Sequence, residues 1–538
     1  MKKNQGFTLI ELLAVIVILA IILIIAVPGV LSIIKKTKDN AYDRQLDIIK
    51  EASRLYVTSD SDVIWTGENP KTTNVSLDTL KEKGYLDQKI INPRTKKEIV
   101  CAKTSITKTG SKYDYTITFC DQVNNNPRVS SDMIPIRYDG AAWVKADYTN
   151  KDNNRYDYDN QQWANIATVT EATRDKYKKA NIGSEVKMED INTMFVWIPR
   201  FKYKLFNVDG TTSPVGNPNM AGDYTIDVQL EETSTPKSTG TQNGEWLTHP
   251  AFTFGGEELE GFWVAKFETG YDGASTIEDA QSNTVNPFKV RIKPNIYSWR
   301  SIQLMNMYKN ATGLKQDNNP FGFTSIEDPH MMKNMEWGAL AYLTNSKYGK
   351  QGNDAYVGTE KQVRSNNNRN AITGCGAETQ DATAIETCNS YETANGQTAS
   401  TTGNISGVYD TAGGSWEYVA GVMKNTNGID LIASQSGFDQ GDLNQLGQNN
   451  KYLDIYNYST DPHDRTRSHL GDATLEMGPF NGDRSAWYDD LGRFVFSDQS
   501  WFFRGGYWES TPSAIGSPAF SIWYGSGSSN ITSRIVIL

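Results

Sequence analysis

The side chains that could support redox or metal chemistry are few in this sequence of 538 residues. They are four cysteines, Cys101, Cys120, Cys375 and Cys388, and four histidines, His249, His330, His463 and His469. The cysteines form two local pairs without Cys-x-x-Cys spacing, and no histidine lies within five residues of a cysteine. In an exported protein this pattern favours two disulfides, Cys101–Cys120 and Cys375–Cys388, over a zinc site.

The histidines and carboxylates do not form a recognisable metal or catalytic motif. The histidines are scattered, and none is followed by a second ligand at helical spacing, so we predict no metal and no cofactor. An acidic stretch at 459–464 (STDPHD) carries oxygen ligands of the kind that calcium prefers. We favour a solvated loop as the interpretation of that stretch.

One carboxylate lies within the most apolar part of the chain. After a short basic leader that ends at Gly6, residues 7–27 are 21 almost wholly apolar positions, interrupted by Glu11. At about 1.5 Å per residue, a helix of this length crosses a bilayer core of roughly 30 Å. An unpaired carboxylate there costs about 2.5–3.5 kcal/mol or more, so Glu11 needs a partner. Because Gly6 precedes the apolar run, cleavage after it would leave the hydrophobic helix on the mature protein.

This N-terminus, KKNQG followed by FTLIE, closely resembles the class III signal of type IV prepilins. The resemblance implies cleavage between Gly6 and Phe7 by a prepilin peptidase, with N-methylation of Phe7. It also implies that Glu11, the fifth mature residue, pairs with the N-terminal amine of a neighbouring subunit. The charges neutralise each other only between chains, so assembly would relieve a cost that the single subunit bears. The alternative is an ordinary membrane anchor with a stray carboxylate.

Composition narrows the class of protein further. The net charge is -10 and no basic block follows the leader, which argues against nucleic-acid binding. The 13 Trp and 27 Tyr favour an extracellular surface of short strands and long loops over a helical enzyme. The length predicts two or three domains.

The order of patterns along the chain predicts an α+β fold. Residues 1–6 are the leader, and residues 7–121 are interpreted as a pilin-like domain with a long helix, a short helix near 75–86 and a hairpin of strands at 98–101 and 113–120. Residues 122–189 are interpreted as a linker and a small β segment, in which Trp143 and Trp163 are expected to be core residues. Residues 190–538 form one loop-rich unit, with strands at 195–198 and 261–268 and helices at 301–308 and 334–348.

Several stretches of this last unit carry a second resemblance. They are GFWVAKFE at 261–268, YDTAGGSWEYV at 409–419, WFFRGGYW at 501–508 and SRIVIL at 533–538. In this order and spacing they resemble the formylglycine-generating, sulfatase-modifying family, a branch of the C-type lectin fold. The middle and last motifs depart from the family pattern at several positions. The resemblance implies a C-type-lectin-like α+β domain over residues 190–538.

The resemblance does not extend to the residues that carry catalysis in that family. Its catalytic members depend on cysteines near the C-terminus, and this chain has none after Cys388. We therefore expect a binding protein and no enzyme, with a surface-displayed modifying enzyme as the alternative. The C-terminal placement also resembles the variable region of proteins that retroelements diversify.

After the turn at 504–506 the chain combines small polar residues with Tyr and Trp, a composition typical of a paratope. The candidate ligand-binding residues are Tyr507, Trp508, Ser510, Ser513, Ser521, Trp523, Tyr524 and Ser526. The alternative is a Ser/Gly-rich loop that covers the core.

These observations predict a minor type IV pilin that displays a non-catalytic C-type-lectin-like receptor- or ligand-binding domain, an adhesin at or near the pilus tip. We expect it at the bacterial cell surface, anchored in the membrane through Phe7 to Val27 before assembly. Its expected partners are other pilin subunits, the prepilin peptidase and an unknown extracellular protein or glycan, without nucleic acid. The alternative is a pseudopilin-like structural component of a secretion or DNA-uptake apparatus.

Overall fold

The computed structural model describes most of the chain beyond its N-terminus. Not described are residues 1–36, 38–39, 61–62, 64, 66, 68, 88–89, 92, 94–101, 120–126, 128, 131, 149–155, 213–224, 380–382, 449 and 511–515. The predicted membrane run with Gly6, Phe7 and Glu11 lies outside the described residues, as do Cys101 and Cys120 with their predicted disulfide. Within the described part, no helix combines the length and the apolar character that a membrane span needs. The chain divides into two compact units, Met1–Val123 and Asn124–Leu538.

The first unit pairs a helix with a small antiparallel sheet. The helix covers residues 40–59, and the sheet has the strands Lys71–Ser76, Ala102–Thr109 and Lys112–Phe119 in that order. Ile49 and Ala52 of the helix are buried in one apolar cluster with Val75 and Ile106 of the sheet. The short helix Leu77–Glu82 begins where Ser76 Oγ accepts the backbone N–H of Thr79 at 3.0 Å. The predicted short helix near 75–86 is present as Leu77–Glu82, but the strand Lys71–Ser76, which was not predicted, precedes it and pairs with the hairpin.

The described strands of the hairpin in this unit are Ala102–Thr109 and Lys112–Phe119, and the predicted first strand at 98–101 lies outside the described residues. The chain reverses at Gly110, whose φ of 62° suits a two-residue turn. Thr109 lies opposite Lys112, and this close turn sets the register of the whole hairpin.

The second unit is built on a seven-stranded antiparallel sheet, here called the main sheet. Its strands, in spatial order, are His330–Met331, Ile535–Ile537, Gly261–Ala265, Ile191–Pro199, Asn165–Val169, Ile134–Tyr138 and Trp143–Lys145. Three of these strands come from residues 134–169. The sequence analysis predicted that residues 122–189 are a linker and a small β segment apart from the last unit. This prediction is corrected, because apolar side chains such as Ile136 and Ile166 pack in the same core as Trp263.

A second sheet lies in the same unit and carries the C-terminal motifs. Its strands are Asp454–Tyr456, Trp416–Met423, Trp501–Arg504 and Phe520–Trp523 in spatial order, and Ile531–Ser533 also pairs with Trp416–Met423. Trp501–Arg504 and Phe520–Trp523 form an antiparallel hairpin, here called the C-terminal hairpin. A smaller sheet has the order Trp246–Thr248, Phe201–Lys204, Val228–Leu230.

Short helices fill the spaces between the sheets. They are Glu171–Lys179, Leu304–Thr312, Asn334–Thr344, Ala394–Gln397 and Gln440–Gly447. Every residue of Asn334–Thr344 is buried, which explains why its sequence is apolar on all sides. Both predicted helices of this unit are present, and both predicted core tryptophans, Trp143 and Trp163, are buried. The chain is therefore α+β, with mostly small sheets, few helices and long connecting loops.

Candidate functional site

The resembling motifs of the second unit meet at one buried arginine. Arg534 lies where the chain leaves Ile531–Ser533 of the second sheet and enters Ile535–Ile537 of the main sheet. It forms a two-point ion pair with Glu417, with Nε–Oε2 at 2.8 Å and Nη2–Oε1 at 2.5 Å. It also donates to the carbonyl oxygens of Ala265 at 2.7 Å and Tyr409 at 2.9 Å. One guanidinium thus joins stretches 261–268, 409–419 and 533–538.

Glu268 forms a second link between stretches 261–268 and 409–419. The backbone N–H of Ser415 donates to Glu268 Oε1 at 2.7 Å, and Ser298 Oγ donates to Oε2. Gly414 has φ 68°, and a Cβ there would lie 2.4 Å from Glu268 Oε1, so this position requires glycine. Burial raises the pKa of Glu268 well above its usual range, with Asp410 and Glu417 adding to the effect. Glu268 is therefore a buried hydrogen-bond acceptor whose surroundings favour the protonated carboxyl more than water does.

Asp410 ties the middle motif to the loop that carries the second cysteine pair. Its Oδ1 accepts Asn366 Nδ2 at 2.8 Å and the backbone N–H of Gly374 at 2.9 Å. The next residue, Cys375, forms a disulfide with Cys388, as the sequence predicts. Burial raises the pKa of Asp410, and the nearby Arg534 opposes this shift. The motif side chains therefore face the interior, where they hold loops together.

Arg504 anchors the base of the C-terminal hairpin in the same way. It is fully buried and donates to Asn334 Oδ1 at 3.0 Å, and to the carbonyl oxygens of Asp472, Ala473 and Pro518 at 3.2–3.3 Å. The sequence analysis identified a turn at 504–506 but not these partners of Arg504. Asn334 and Asp472 are 170 and 32 positions away along the chain, so their contacts leave no local signal.

The predicted ligand-binding residues fall into two groups at opposite ends of the C-terminal hairpin. The first group is Trp523, Tyr524 and Ser526, next to the end where Trp501 pairs with Trp523. Trp523 is 39% exposed, its ring lies 5.3 Å from that of Tyr524, and its Nε1 donates to Ser526 Oγ at 3.1 Å. Gln499 Nε2 donates a hydrogen bond to the Tyr524 hydroxyl at 3.0 Å. This group forms an ordered aromatic surface, here called the Trp523 surface.

The second group is Tyr507, Trp508 and Ser510, next to the end where Arg504 pairs with Phe520. The two aromatic rings are half-buried and lie 5.4 Å apart, and Ser510 Oγ accepts the Tyr507 N–H at 3.2 Å. The backbone N–H of Trp508 donates to Gly414 O at 3.0 Å. Three residues of strand separate the ends, so the two groups lie roughly 10 Å apart along it.

Arg300 contacts Trp508 of the second group and the loop at Ser529, although sequence reasoning did not single it out. Its guanidinium lies 5.3 Å above the ring of Trp508, and Nη1 donates to Ser529 O at 2.6 Å. Burial lowers its pKa to about 10, so Arg300 stays charged at neutral pH.

Two of the predicted ligand-binding residues cannot be placed on an exposed surface. Ser521 was predicted to contact a ligand, but its side chain is buried in the strand opposite Phe503, so this prediction is corrected. Ser513 lies outside the described residues.

Each of the four histidines has a hydrogen-bond partner. His249 is buried, and burial lowers its pKa to about 3, so the ring is neutral. His330 Nε2 lies 3.0 Å from Glu336 Oε1 inside the core, and His463 Nε2 lies 3.0 Å from Asp483 Oδ1 at the surface. In the part of the chain that the structure describes, no three His, Cys, Asp or Glu side chains are grouped as metal ligands.

Comparison with known protein families identifies a motif at the N-terminus. A family model described as the prokaryotic N-terminal methylation motif matches residues 1–27. No curated protein matches the chain significantly. The chain therefore has a type IV pilin-like N-terminus, and this motif implies processing by a prepilin peptidase, partnership with pilin subunits and a membrane-anchored place in a surface pilus.

Proposed function

We propose that this chain is a minor type IV pilin whose second unit is a non-catalytic C-type-lectin-like domain that binds an extracellular protein or glycan. The observation that carries the proposal is the combination of the methylation motif at residues 1–27 with a second unit that extends over residues 124–538. A pilin motif implies assembly into a filament, and a large added unit gives that filament something to display.

The binding role is supported by how the second unit uses its charged motif residues. Glu417, Arg534 and Arg504 are fully buried and bonded to other parts of the chain. Cys375 is held in a disulfide. These residues stabilise loops, so contact with an external molecule falls to the side chains that remain exposed.

The Trp523 surface is the part of the C-terminal hairpin best suited to this contact. Tryptophan and tyrosine contribute disproportionately to interface energy, and a ring held by its neighbours loses little conformational entropy on binding. Trp523 is both exposed and fixed by its hydrogen bond to Ser526. Trp508 is a weaker candidate, because it is half-buried against Arg300.

The proposed position of this subunit in the filament follows from the size of its second unit. The stems of pilins pack together, so a subunit with several hundred additional residues must project from the shaft or lie where no subunit is stacked above it. We therefore propose a low copy number and a position near the tip. Immunogold labelling along the whole length of every filament would contradict this placement.

The test of binding is an array of glycans and extracellular matrix proteins probed with the purified full chain. Trp523→Ala should abolish most binding to any spot that the parent protein recognises, because truncating an aromatic anchor costs about 2–4 kcal/mol, or roughly 30-fold to 1,000-fold in affinity. The matched control is Val357→Ala, since Val357 is 75% exposed and lies outside the hairpin.

Two results would count against this function. Unchanged binding by Trp523→Ala would place the contact elsewhere. Absence of binding to every probe, with normal assembly into filaments, would favour the pseudopilin-like structural role.

A further inference from the structure

A second candidate site, which is a cavity, lies beside the part of the main sheet that residues 134–165 form. It is a cavity of about 320 Å³, which is at the small end of the range for ligand pockets. Its described lining residues are Arg137, Tyr138, Trp143, Tyr156, Asp157, Gln162, Trp163, Asn165, Ile405 and Ser406. We call it the hairpin pocket. It shares no lining residue with the Trp523 surface.

The walls of the hairpin pocket are aromatic because of the register of one hairpin. Tyr138 lies directly opposite Trp143, and their rings meet edge to face at 5.6 Å. On the other side, the ring of Trp163 stacks against Tyr158 at 6.1 Å, and Tyr156 packs edge to face on Tyr158 at 5.7 Å.

These rings are held rigidly before any ligand arrives. Trp143 Nε1 donates to the hydroxyl of Tyr391 at 3.1 Å, and Trp163 Nε1 donates to Tyr348 O at 2.7 Å. Lys266 is buried beside Trp143, with Nζ 5.2 Å from the ring, and it donates to Ile405 O at 2.7 Å. Pre-organised walls of this kind lower the entropy cost of binding.

One residue that lines the pocket carries a buried polar atom without a hydrogen-bond partner. Asn165 is 2% exposed, and its two amide hydrogens are donated to Trp163 O at 2.9 Å and Ser406 O at 2.8 Å. Its carbonyl oxygen Oδ1 has no hydrogen-bond partner. A buried acceptor is normally satisfied, so this oxygen is available to a hydroxyl or amine of a bound molecule.

A charged group at the pocket, Arg137, also has an unsatisfied polar atom, and its charge helps the backbone N–H groups of Ala142 and Ala141 to lower the pKa of Asp139. Arg137 Nε is buried without a hydrogen-bond partner, and none of the described residues forms a hydrogen bond or ion pair with the Arg137 guanidinium. The carboxylate of Asp157, in contrast, is engaged by Asn160, whose Nδ2 lies 2.5 Å from Oδ2. Because an arginine fork matches a carboxylate in shape and charge, the unpaired Arg137 favours an anionic group on the ligand.

From these features we propose that the hairpin pocket binds a single sugar residue that carries a carboxylate. The C–H faces of a sugar ring pack on aromatic side chains, while its hydroxyls hydrogen-bond to the amide groups of Gln162 and Asn165. Arg137 pairs with the carboxylate. This assignment does not depend on the pilin-like function or on the Trp523 surface.

The test is calorimetric titration of the full chain, kept in a detergent without sugar head groups, with methyl glucuronide. Methyl glucoside, which lacks the carboxylate, and benzoate, which lacks the sugar ring, are the matched ligand controls. Free glucuronic acid is the fourth ligand. Because the methyl glycoside imitates the terminal residue of a glycan, its comparison with the free acid distinguishes a glycan end from a free sugar as the source.

Arg137→Gln is the decisive variant, because Arg137 has no described hydrogen-bond partner whose loss would unfold the domain. We expect it to weaken methyl glucuronide binding by at least about tenfold and to leave the melting temperature unchanged. The matched control is Arg369→Gln, an exposed arginine that does not line the pocket. Trp523→Ala should leave this binding unchanged, which separates the two sites.

Three outcomes would overturn the proposal. Equal affinity for methyl glucoside and methyl glucuronide would remove the role of the carboxylate. Equal affinity for benzoate would remove the sugar. Absence of measurable binding to either uronic acid ligand, with a folded protein, would mean that the hairpin pocket holds water alone.

Discussion

Replacing Glu417 with glutamine tests whether the buried ion pair with Arg534 holds the second unit together. Both side chains are 0% exposed, and Arg534 donates to both carboxylate oxygens. Glutamine keeps the shape of the side chain but removes its charge. Arg534 would then retain a buried positive charge whose described partners include the carbonyl oxygens of Ala265 and Tyr409.

The expected loss follows from the burial of both partners. Removing one member of a buried ion pair costs about 3–5 kcal/mol, because the other charge stays inside without compensation. Burial raises the pKa of Glu417 to about 7, although Arg534 opposes the shift, so the pair is fully charged only above neutral pH. Because ionising this buried carboxyl costs more in the folded than in the unfolded chain, the parent loses stability between about pH 4.5 and pH 8 while the glutamine variant does not, so the loss caused by the variant should be larger at about pH 5 than at about pH 8. For a unit of about 400 residues, the entropy of unfolding converts this loss into a fall of about 3–6 °C in melting temperature.

Differential scanning calorimetry of the full chain at both pH values measures this fall. The matched control is Glu360→Gln, which removes the ion pair with Arg364 at 2.6 Å, where Glu360 is 40% exposed. Exposed pairs contribute at most about 1 kcal/mol, so this control should shift the melting temperature by about 1 °C or less. A Glu417→Gln shift no larger than that of Glu360→Gln would refute the reasoning that the Arg534 ion pair joins the motifs.

Three further predictions address processing, pH dependence and the disulfide. Mass spectrometry of surface-assembled protein should find methylated Phe7 as the first residue, and Glu11→Ala should reach the membrane but assemble poorly; intact Met1, or normal assembly, would contradict the pilin-like processing. Burial raises the pKa of Glu476 to about 7 from its ordinary 4.5, so the stability that this proton gives is complete below about pH 4.5 and falls by about 3 kcal/mol as the pH rises to 7. Glu476→Gln should flatten that part of the curve of unfolding free energy against pH, and an unchanged slope would disprove the assignment. Non-reducing peptide mapping should recover the Cys375–Cys388 peptide pair, and replacing both with serine should lower the unfolding free energy by about 3 kcal/mol.

Elements with strong local signals were predictable from the sequence. Residues 334–348 combine apolar positions at helical spacing, and the helix covers Asn334–Thr344. Residues 261–268 contain a run of apolar and aromatic residues, and the strand covers Gly261–Ala265. The pilin-like signal was equally local, because it depends on contiguous residues at the N-terminus.

Contacts between distant residues were not predictable in the same way. Strands from 134–169 join the main sheet through pairing of Asn165–Val169 with Ile191–Pro199, and the polar residues between them concealed that link. Likewise, Arg534 and Glu417 are 117 positions apart, so their pairing left no trace in local spacing. The motifs indicated that both positions matter without showing that they touch.

The candidate sites were also only partly predictable from the sequence. The composition after residue 506 indicated a binding surface, but only the hairpin register separates exposed Trp523 from buried Ser521. Trp143 and Trp163 were predicted as core residues, and they are buried, yet both also line the hairpin pocket. Apolar residues near a turn give no sign of whether a neighbouring loop fills the space beside them or leaves a cavity.

The two sites of the second unit differ in what they could bind, and the difference follows from how each meets the core. Trp523 stands at the end of a hairpin strand, where an exposed ring with a fixed neighbour suits a broad contact with a large molecule. Arg137 lies beside a cavity of about 320 Å³ with an unsatisfied acceptor at Asn165, which suits one small polar group. A domain whose motif residues are occupied in holding loops can still bind through both, because neither site uses Arg534, Glu417 or Arg504. Loss of macromolecular binding in Trp523→Ala and loss of uronic acid binding in Arg137→Gln should therefore occur independently, and a variant that abolished both would point to damage to the shared core.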